Sequence, residues 1–213
     1  MALFITFEGG EGSGKSTQAS LLYRYLKKRN IPSLLTHEPG VTSLGKKIAR
    51  LLKWSQGTDI SPAAELLLFN TSRAQLVTEI IKPALQNGIT VICDRFADST
   101  TAYQGYGRNL DLAIVKAVNE VGMSGLDPDI TFLLDTPVEK GLSRKTKNED
   151  RFEKEASAFH QRVRDGYLKL AGQEPKRWCV IDAAKSKEEI AGIIWDRVKP
   201  LLPNYKSIRR VDD

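Results

Sequence analysis

A chain of 213 residues, 41% hydrophobic and 27% charged, has the size for one buried core and the composition of an ordinary soluble globular protein. No apolar run is long enough to cross a bilayer as a helix. The formal charge of +6 fits either a nucleic-acid binder or a protein that handles polyphosphate anions. No recognisable nucleic-acid module occurs, and the tail Lys206-Ser207-Ile208-Arg209-Arg210 is too short to bind much alone.

The opening Met1-Ala2-Leu3-Phe4-Ile5 lacks a basic leader, so no signal peptide is expected and the cytoplasm is the expected compartment. Cys93 and Cys179 sit in short β-like runs and read as buried thiols. His37 and His160 are isolated and read as structural or surface residues.

In chain order, a strand over residues 3–8 leads into a glycine loop and a helix over 15–28. A strand over 33–37 runs into Glu38-Pro39-Gly40, which resists regular structure, and a short helix covers 44–52. Ser61-Pro62 reads as an N-cap followed by proline at the first helical position. That helix extends to about 82, where Pro83 kinks or restarts it, and Asn87-Gly88 ends it. Strands follow over 90–94 and, after Asp127-Pro128-Asp129, over 130–135. A helix from Pro137 enters a charged stretch over 144–155, the next helix reaches about 172, and 178–182 is a fifth strand. Ser186-Lys187-Glu188-Glu189 reads as a capping box for the last helix. No repeat or linker interrupts this order.

Alternating strands and helices imply a five-stranded parallel sheet with helices on both faces. Buried strands such as Val91-Ile92-Cys93 are then apolar throughout. Ligands are expected beyond the carboxyl ends of the strands, after Glu8, His37, Asp94 and Asp135.

The sharpest motif is Gly9-Gly10-Glu11-Gly12-Ser13-Gly14-Lys15-Ser16, followed by Thr17. It is a complete G-x-x-x-x-G-K-[ST] string between a strand and a helix. Glycines let successive backbone N–H groups face a phosphate, and the helix adds its positive end. Lys15 can reach the β- and γ-phosphates, and the Ser16 hydroxyl can ligate Mg²⁺. ATP or GTP binding follows, whereas the reaction type does not.

Other candidates are less determined by spacing. Phe69 and Arg73 share a helix face at i and i+4, so they could stack on and read a nucleobase, or be a core ring and a surface cation. Asp94 at a strand end could hold Mg²⁺ and Arg95 could clamp a phosphate, or both could serve capping and internal pairing. Asp135 is a rival carboxylate, ranked second because no cation adjoins it in sequence. Arg144, Lys145, Lys147 and Arg151 could close over a donor as a lid at about 143–153, or form a solvated helix end.

Taken together, these motifs resemble those of bacterial thymidylate kinases across nearly the full chain. The resemblance is carried by the run from Phe7 through the phosphate loop to Gln18, Glu38-Pro39-Gly40, Leu68-Phe69 and Arg73-Ala74-Gln75. It continues in Asp94-Arg95-Phe96, Ser99, Ala102-Tyr103-Gln104-Gly105, Gly107-Arg108 and Asp150-Arg151-Phe152-Glu153. It implies that Phe69 stacks on thymine, Arg73 reads it, and Thr100 and Gln104 lie along the base. It further implies that Tyr103 packs near the sugar, Arg95 holds the acceptor phosphate and Glu11 faces the sugar hydroxyl. Glu38, Pro39 and Ser99 complete the acceptor side. With no cation at Gly12 or Ser13, catalytic duty falls to Arg144 and Arg151, beside Lys15 and Arg95. The resemblance also implies ATP and Mg²⁺, held through Ser16 and Asp94, dTMP as acceptor, and a homodimer with no nucleic-acid or membrane partner. Val41 stands where a second glycine is frequent, Ser72 where an acidic residue is frequent, and the lid is compact. Another kinase of this fold with a different acceptor, or a nucleotide switch, are the competing readings, although a switch's Asn-Lys-x-Asp string is absent from the sequence.

Overall fold

The computed structural model describes residues 2–54, 59–144 and 150–202. Lys145, Lys147 and the basic tail over 206–210 lie outside the described residues. Five parallel strands, β1 (Phe4–Glu8), β2 (Ser33–His37), β3 (Thr90–Asp94), β4 (Ile130–Asp135) and β5 (Trp178–Asp182), form one sheet in the order β2-β3-β1-β4-β5. Within it Phe7 is level with Asp94, His37 with Asp94, and Asp135 with Asp182. The five strands therefore end together, in Glu8, His37, Asp94, Asp135 and Asp182. From β1 the chain crosses to β2 at one edge, and from β3 it passes over β1 to β4. The loop after β1 thus lies at the reversal of strand order, where such sheets open a crevice.

Alternation along the strands decides which end residue meets which helix. Ile5 and Phe7 of β1, Ile92 of β3 and Phe132 and Leu134 of β4 share a core with Leu22 and Leu26 of α1 (Lys15–Lys28) and Ile190 and Ile194 near the C-terminus. Phe4, Val91 and Cys93 face Leu76, Val77 and Ile81 instead. Asp94, in phase with Ile92, falls on the α1 side, whereas Glu8, in phase with Phe4, falls on the opposite one. Two carboxylates at neighbouring strand ends are thereby sent to different tasks.

Helix α2 (Ser43–Trp54) begins and ends slightly outside the expected 44–52. Helix α3 (Pro62–Leu76) opens as its sequence indicates, with the Ser61 side chain accepting from the Ala64 amide. It runs without a break through a π-helical turn, Val77–Ile81, into α4 (Lys82–Gln86). The Lys82 amide bonds back to the Val77 carbonyl, and this widened turn just before Pro83 accommodates the missing N–H and the bulk of its ring.

Sequence reasoning assigns no elements between Phe96 and Asp127. The structure forms α5 (Ala97–Thr100), a π-helical segment Thr101–Gly107, and α6 (Leu112–Met123) capped by Asp111. A Cβ on Gly107 would lie 2.6 Å from the Phe159 ring, so this glycine is needed for close approach rather than for a turn. Short α7 (Val138–Leu142), α8 (Ser157–Gln173), α9 (Lys187–Val198) and a 3-10 turn, Lys199–Leu201, follow among the described residues, and the Ser186–Glu189 capping box forms as read. The helix expected from Pro137 is only one turn long and stops before the charged stretch. Cys93 is buried and Cys179 half-buried, and both are free thiols.

Candidate active site

A cavity of about 860 Å³ opens beyond the carboxyl ends of the strands. Its floor is the glycine loop, and one wall comes from α2, α3 and the 97–107 segment. The loop bends through left-handed backbone at Gly12 (φ 65°) and Gly14 (φ 93°), and Gly14 caps α1. A Cβ on Gly12 would sit 2.1 Å from the Gly141 carbonyl, so the loop and α7 touch backbone to backbone. Lys15 folds over the loop, donating to the Gly10 carbonyl at 2.6 Å and to Ser13 Oγ at 3.2 Å. Burial and the neighbouring Arg95 charge lower its ammonium to about 8, against the pull of Glu11, Asp94 and Glu8. A phosphate in the loop would replace the internal acceptors and favour the charged form.

Ser16 Oγ donates to Asp94 Oδ2, which brings together the two residues expected to hold a metal. Asp94 Oδ1 is buried without a hydrogen-bond partner. A hydroxyl and an unsatisfied carboxylate oxygen are hard donors that fit Mg²⁺, which keeps much of its shell for water and phosphate. Among the described residues no cluster of three or more His, Cys, Asp or Glu forms a separate metal cage. Asp135, the rival, is engaged elsewhere: Arg164 of α8 grips it at 2.7 and 2.8 Å. A cation does adjoin Asp135, but from 29 residues away.

Arg95 has φ 69°, a left-handed conformation rare for arginine. With its amide tied to the Phe7 carbonyl at 2.9 Å, this turn swings the guanidinium back across the strand ends. There Nη2 donates to Glu11 Oε1 at 2.9 Å and to the Tyr103 hydroxyl at 3.2 Å. Nη1 reaches the Gly9 carbonyl at 3.1 Å, and Ser99 Oγ and the Tyr167 hydroxyl at 3.3 Å each. Burial works against ionisation of Glu11, but Arg95, Lys15 and the Tyr103 hydroxyl together hold its carboxyl at about 2. Glu8 beneath them accepts from the Phe96 amide, Ser99 and Tyr167 at 2.6–2.9 Å. Burial and the Asp98 charge push Glu8 up to about 7.

On the far wall Phe69 is half-buried against Phe152, ring centroids 5.6 Å apart. Arg73 lines the same wall but is only 1% exposed. Its Nε and Nη2 meet both Glu38 oxygens at 3.0 and 2.6 Å, Nη1 meets Asn70 and Asn119, and Nη2 also meets Thr100 Oγ1 at 2.6 Å. All five N–H groups are therefore engaged within the protein. Gln104 is buried beside them and donates from Nε2 to Glu65 at 2.7 Å. Pro39 lines the cavity, and Ser72 and Val41 pack inward, Ser72 Oγ lying 3.1 Å from where a Cβ on Gly45 would stand.

The two arginines expected to act from a lid part company. Arg144 donates to the Gly12 carbonyl at 3.2 Å, over the loop. Arg151 donates to the Leu52 carbonyl and to Glu65 and stacks on Phe152 at 4.7 Å. It is thus held on the α2–α3 side by a buried carboxylate, and not over the phosphate loop as its place in the sequence led one to expect. Lys46, Arg50 and Lys53 of α2 also line the cavity. Their i, i+4, i+7 spacing marks one helix face and was a usable signal that sequence reasoning missed. Tyr167 and Glu65 gave no such signal, since their partners are distant in sequence.

A family model described as Thymidylate kinase matches residues 7–194. The chain belongs to the thymidylate kinase family. A protein named thymidylate kinase from Dehalococcoides mccartyi (strain ATCC BAA-2266 / KCTC 15142 / 195) is 56% identical over 203 residues, covering 95% of this chain and 98% of its own. Another so named, from Roseiflexus sp. (strain RS-1), is 46% identical over 225 residues, covering 99% and 100%. A crystal structure of thymidylate kinase from Ehrlichia chaffeensis superposes with a TM-score of 0.74 at 37% identity, over 92% of this chain and 98% of that one. The parallel sheet and glycine-loop crevice described above are thus those of a thymidylate kinase.

Proposed function

We propose that this chain transfers the γ-phosphoryl group of ATP to dTMP, giving dTDP and ADP, a step toward dTTP. The observation that carries the reading is that Lys15 and Arg95, following two different strand ends, line one cavity and both act on the Glu11 carboxylate. The donor polyphosphate lies in the loop, against Lys15, the backbone N–H groups of residues 12–17 and Arg144. The acceptor phosphate takes Arg95, displacing its longer contacts to Gly9, Ser99 and Tyr167. A phosphate monoester is already largely dianionic at neutral pH, so its oxygen attacks without a general base. The protein's task is to hold two anions in line and spread the charge of the transfer.

Ser16 and Asp94 would hold Mg²⁺, which when bound supplies charge neutralisation on the donor phosphates. Phe69 stacks on the base, while Thr100 and Gln104 lie along its edge. With all five N–H groups engaged, Arg73 reaches a base carbonyl only by giving up or sharing one of its contacts to Glu38, Asn70, Asn119 or Thr100. Tyr103 and Glu11 flank the sugar, and Glu38 and Pro39 frame the entrance. Arg151 joins the donor side only if Glu65 releases it.

The reading treats residues 1–213 as one kinase domain with its lid at about 143–153. It takes the enzyme to act in the cytoplasm as a homodimer, without nucleic-acid or membrane partners. Exposed apolar residues on α3 and α6, Leu67, Ile114 and Val121, support self-association, and no described helix is long and apolar enough to span a membrane. ADP release measured with dTMP, dUMP, AMP and GMP tests the acceptor. A dTMP rate no higher than the others would end the assignment.

A further inference from the structure

The donors of the proposed acceptor wall, that of Gln104 among them, already have their bonds made, and what distinguishes Gln104 is its amide oxygen. Its Nε2 donates to Oε1 of Glu65 at 2.7 Å. Glu65, 0% exposed on α3, also receives Arg108 at 3.2 and 3.3 Å and Arg151. A carboxylate gripped by two guanidinium groups accepts hydrogen bonds and offers none. The nitrogen end of the Gln104 amide must therefore face it. Turning the amide over would set its oxygen against a carboxylate oxygen at the same short distance, with neither able to donate. That leaves Oε1 as the end of the amide available to a ligand in the cavity that Gln104 lines with Phe69, Arg73 and Thr100.

We propose that Glu65 is a specificity-determining positioning residue: by fixing the Gln104 amide it presents an acceptor to the base, and so selects pyrimidines whose N3 carries hydrogen over those whose N3 is bare. This rests on the base site proposed above. Thymine and uracil offer N3–H to Oε1. Cytosine would set the N3 lone pair against it and leave both groups desolvated without a bond, which is where hydrogen-bonding sites discriminate most strongly. Glu65 touches no substrate and acts on the base through Gln104, while it also holds Arg108 and Arg151.

The test is the ratio of kcat/KM for dTMP to that for dCMP in wild type, Glu65→Gln and Glu65→Asp. A glutamine at 65 can donate to Gln104 Oε1 and lets the amide turn over. The ratio should then fall at least about tenfold, mainly through KM for the nucleotide acceptor, and because release of Arg151 acts on both acceptors alike it cancels from the ratio. Aspartate remains acceptor-only and should restore most of the ratio. A folded Glu65→Gln enzyme that keeps the wild-type ratio, or that loses activity on both acceptors equally without rescue by aspartate, overturns the proposal. Should Glu65→Gln not fold, Gln104→Met and Glu65→Asp decide together: retention of the ratio in Gln104→Met overturns the proposal, and its loss there with retention in Glu65→Asp supports it. A wild-type enzyme with no preference for dTMP over any other monophosphate would instead sink the acceptor assignment itself.

Discussion

Replacing Arg95 by alanine removes the guanidinium that turns back across the strand ends, where the acceptor phosphate is proposed to lie. Two charge-assisted hydrogen bonds from its Nη atoms to a phosphate are worth about 1.5–3 kcal/mol each. Against this stands what Arg95 gives up on binding, chiefly part of its 2.9 Å contact with Glu11. A net loss of about 3–4 kcal/mol follows, or about two to three orders of magnitude in kcat/KM for dTMP. The fold should survive, because Glu8 still receives Ser99, Tyr167 and the Phe96 amide. Steady-state ADP release with dTMP and ATP varied in turn gives the split, and KM for ATP should move little. Lysine at this position should rescue only a small part, since a point charge cannot reproduce the planar fork. A loss of less than about fivefold in kcat/KM for dTMP, or a loss confined to ATP, would refute the reasoning.

Three further outcomes are expected. Lys15 must be charged to hold phosphate, and its free-enzyme value of about 8 means that kcat/KM for ATP should fall as pH rises through 8. Lys15→Ala should abolish transfer, whereas a wild-type profile flat to well above pH 9 would contradict the assignment. For Glu8, held at about 7 in the folded state against an ordinary 4.5, the unfolded chain loses its proton first, so this group's contribution to stability declines as pH rises from 4.5 to 7. Urea unfolding across that range should show a flatter decline in Glu8→Gln than in wild type, and identical slopes would remove Glu8 as its source. Gly141→Ala would bring a Cβ to 2.4 Å from the Glu11 carbonyl, which should cost about 1–3 kcal/mol and lower both Tm and the affinity for ATP, read by calorimetry and by nucleotide titration.

Local chemistry determines much of this protein from the chain alone. Each strand is a short apolar run, each terminating in a polar residue, and Ser61-Pro62 and Ser186 to Glu189 cap the helices they precede in sequence. The phosphate loop is equally local, because its function needs only backbone amides and a helix start. Pairings between distant residues were not legible. Tyr167 reaches Arg95 and Glu8 across 72 and 159 residues, and Arg164 claims Asp135 from another element. Thr101–Gly107 stayed unassigned because π-helical turns have a period that neither helix nor strand patterns describe, whereas α6 is an ordinary helix capped by Asp111 that sequence reasoning overlooked.

Composition and motif order by themselves determined the alternating architecture, the phosphate loop and the set of residues available for binding. What only the tertiary structure decided is how those residues are spent. Arg73 is saturated by Glu38, Asn70, Asn119 and Thr100, and Arg151 is bound to a buried glutamate rather than suspended over the donor. Sequence spacing records which charges lie near one another along the chain. It does not record which are desolvated together, and burial is what makes a carboxylate claim one guanidinium over another.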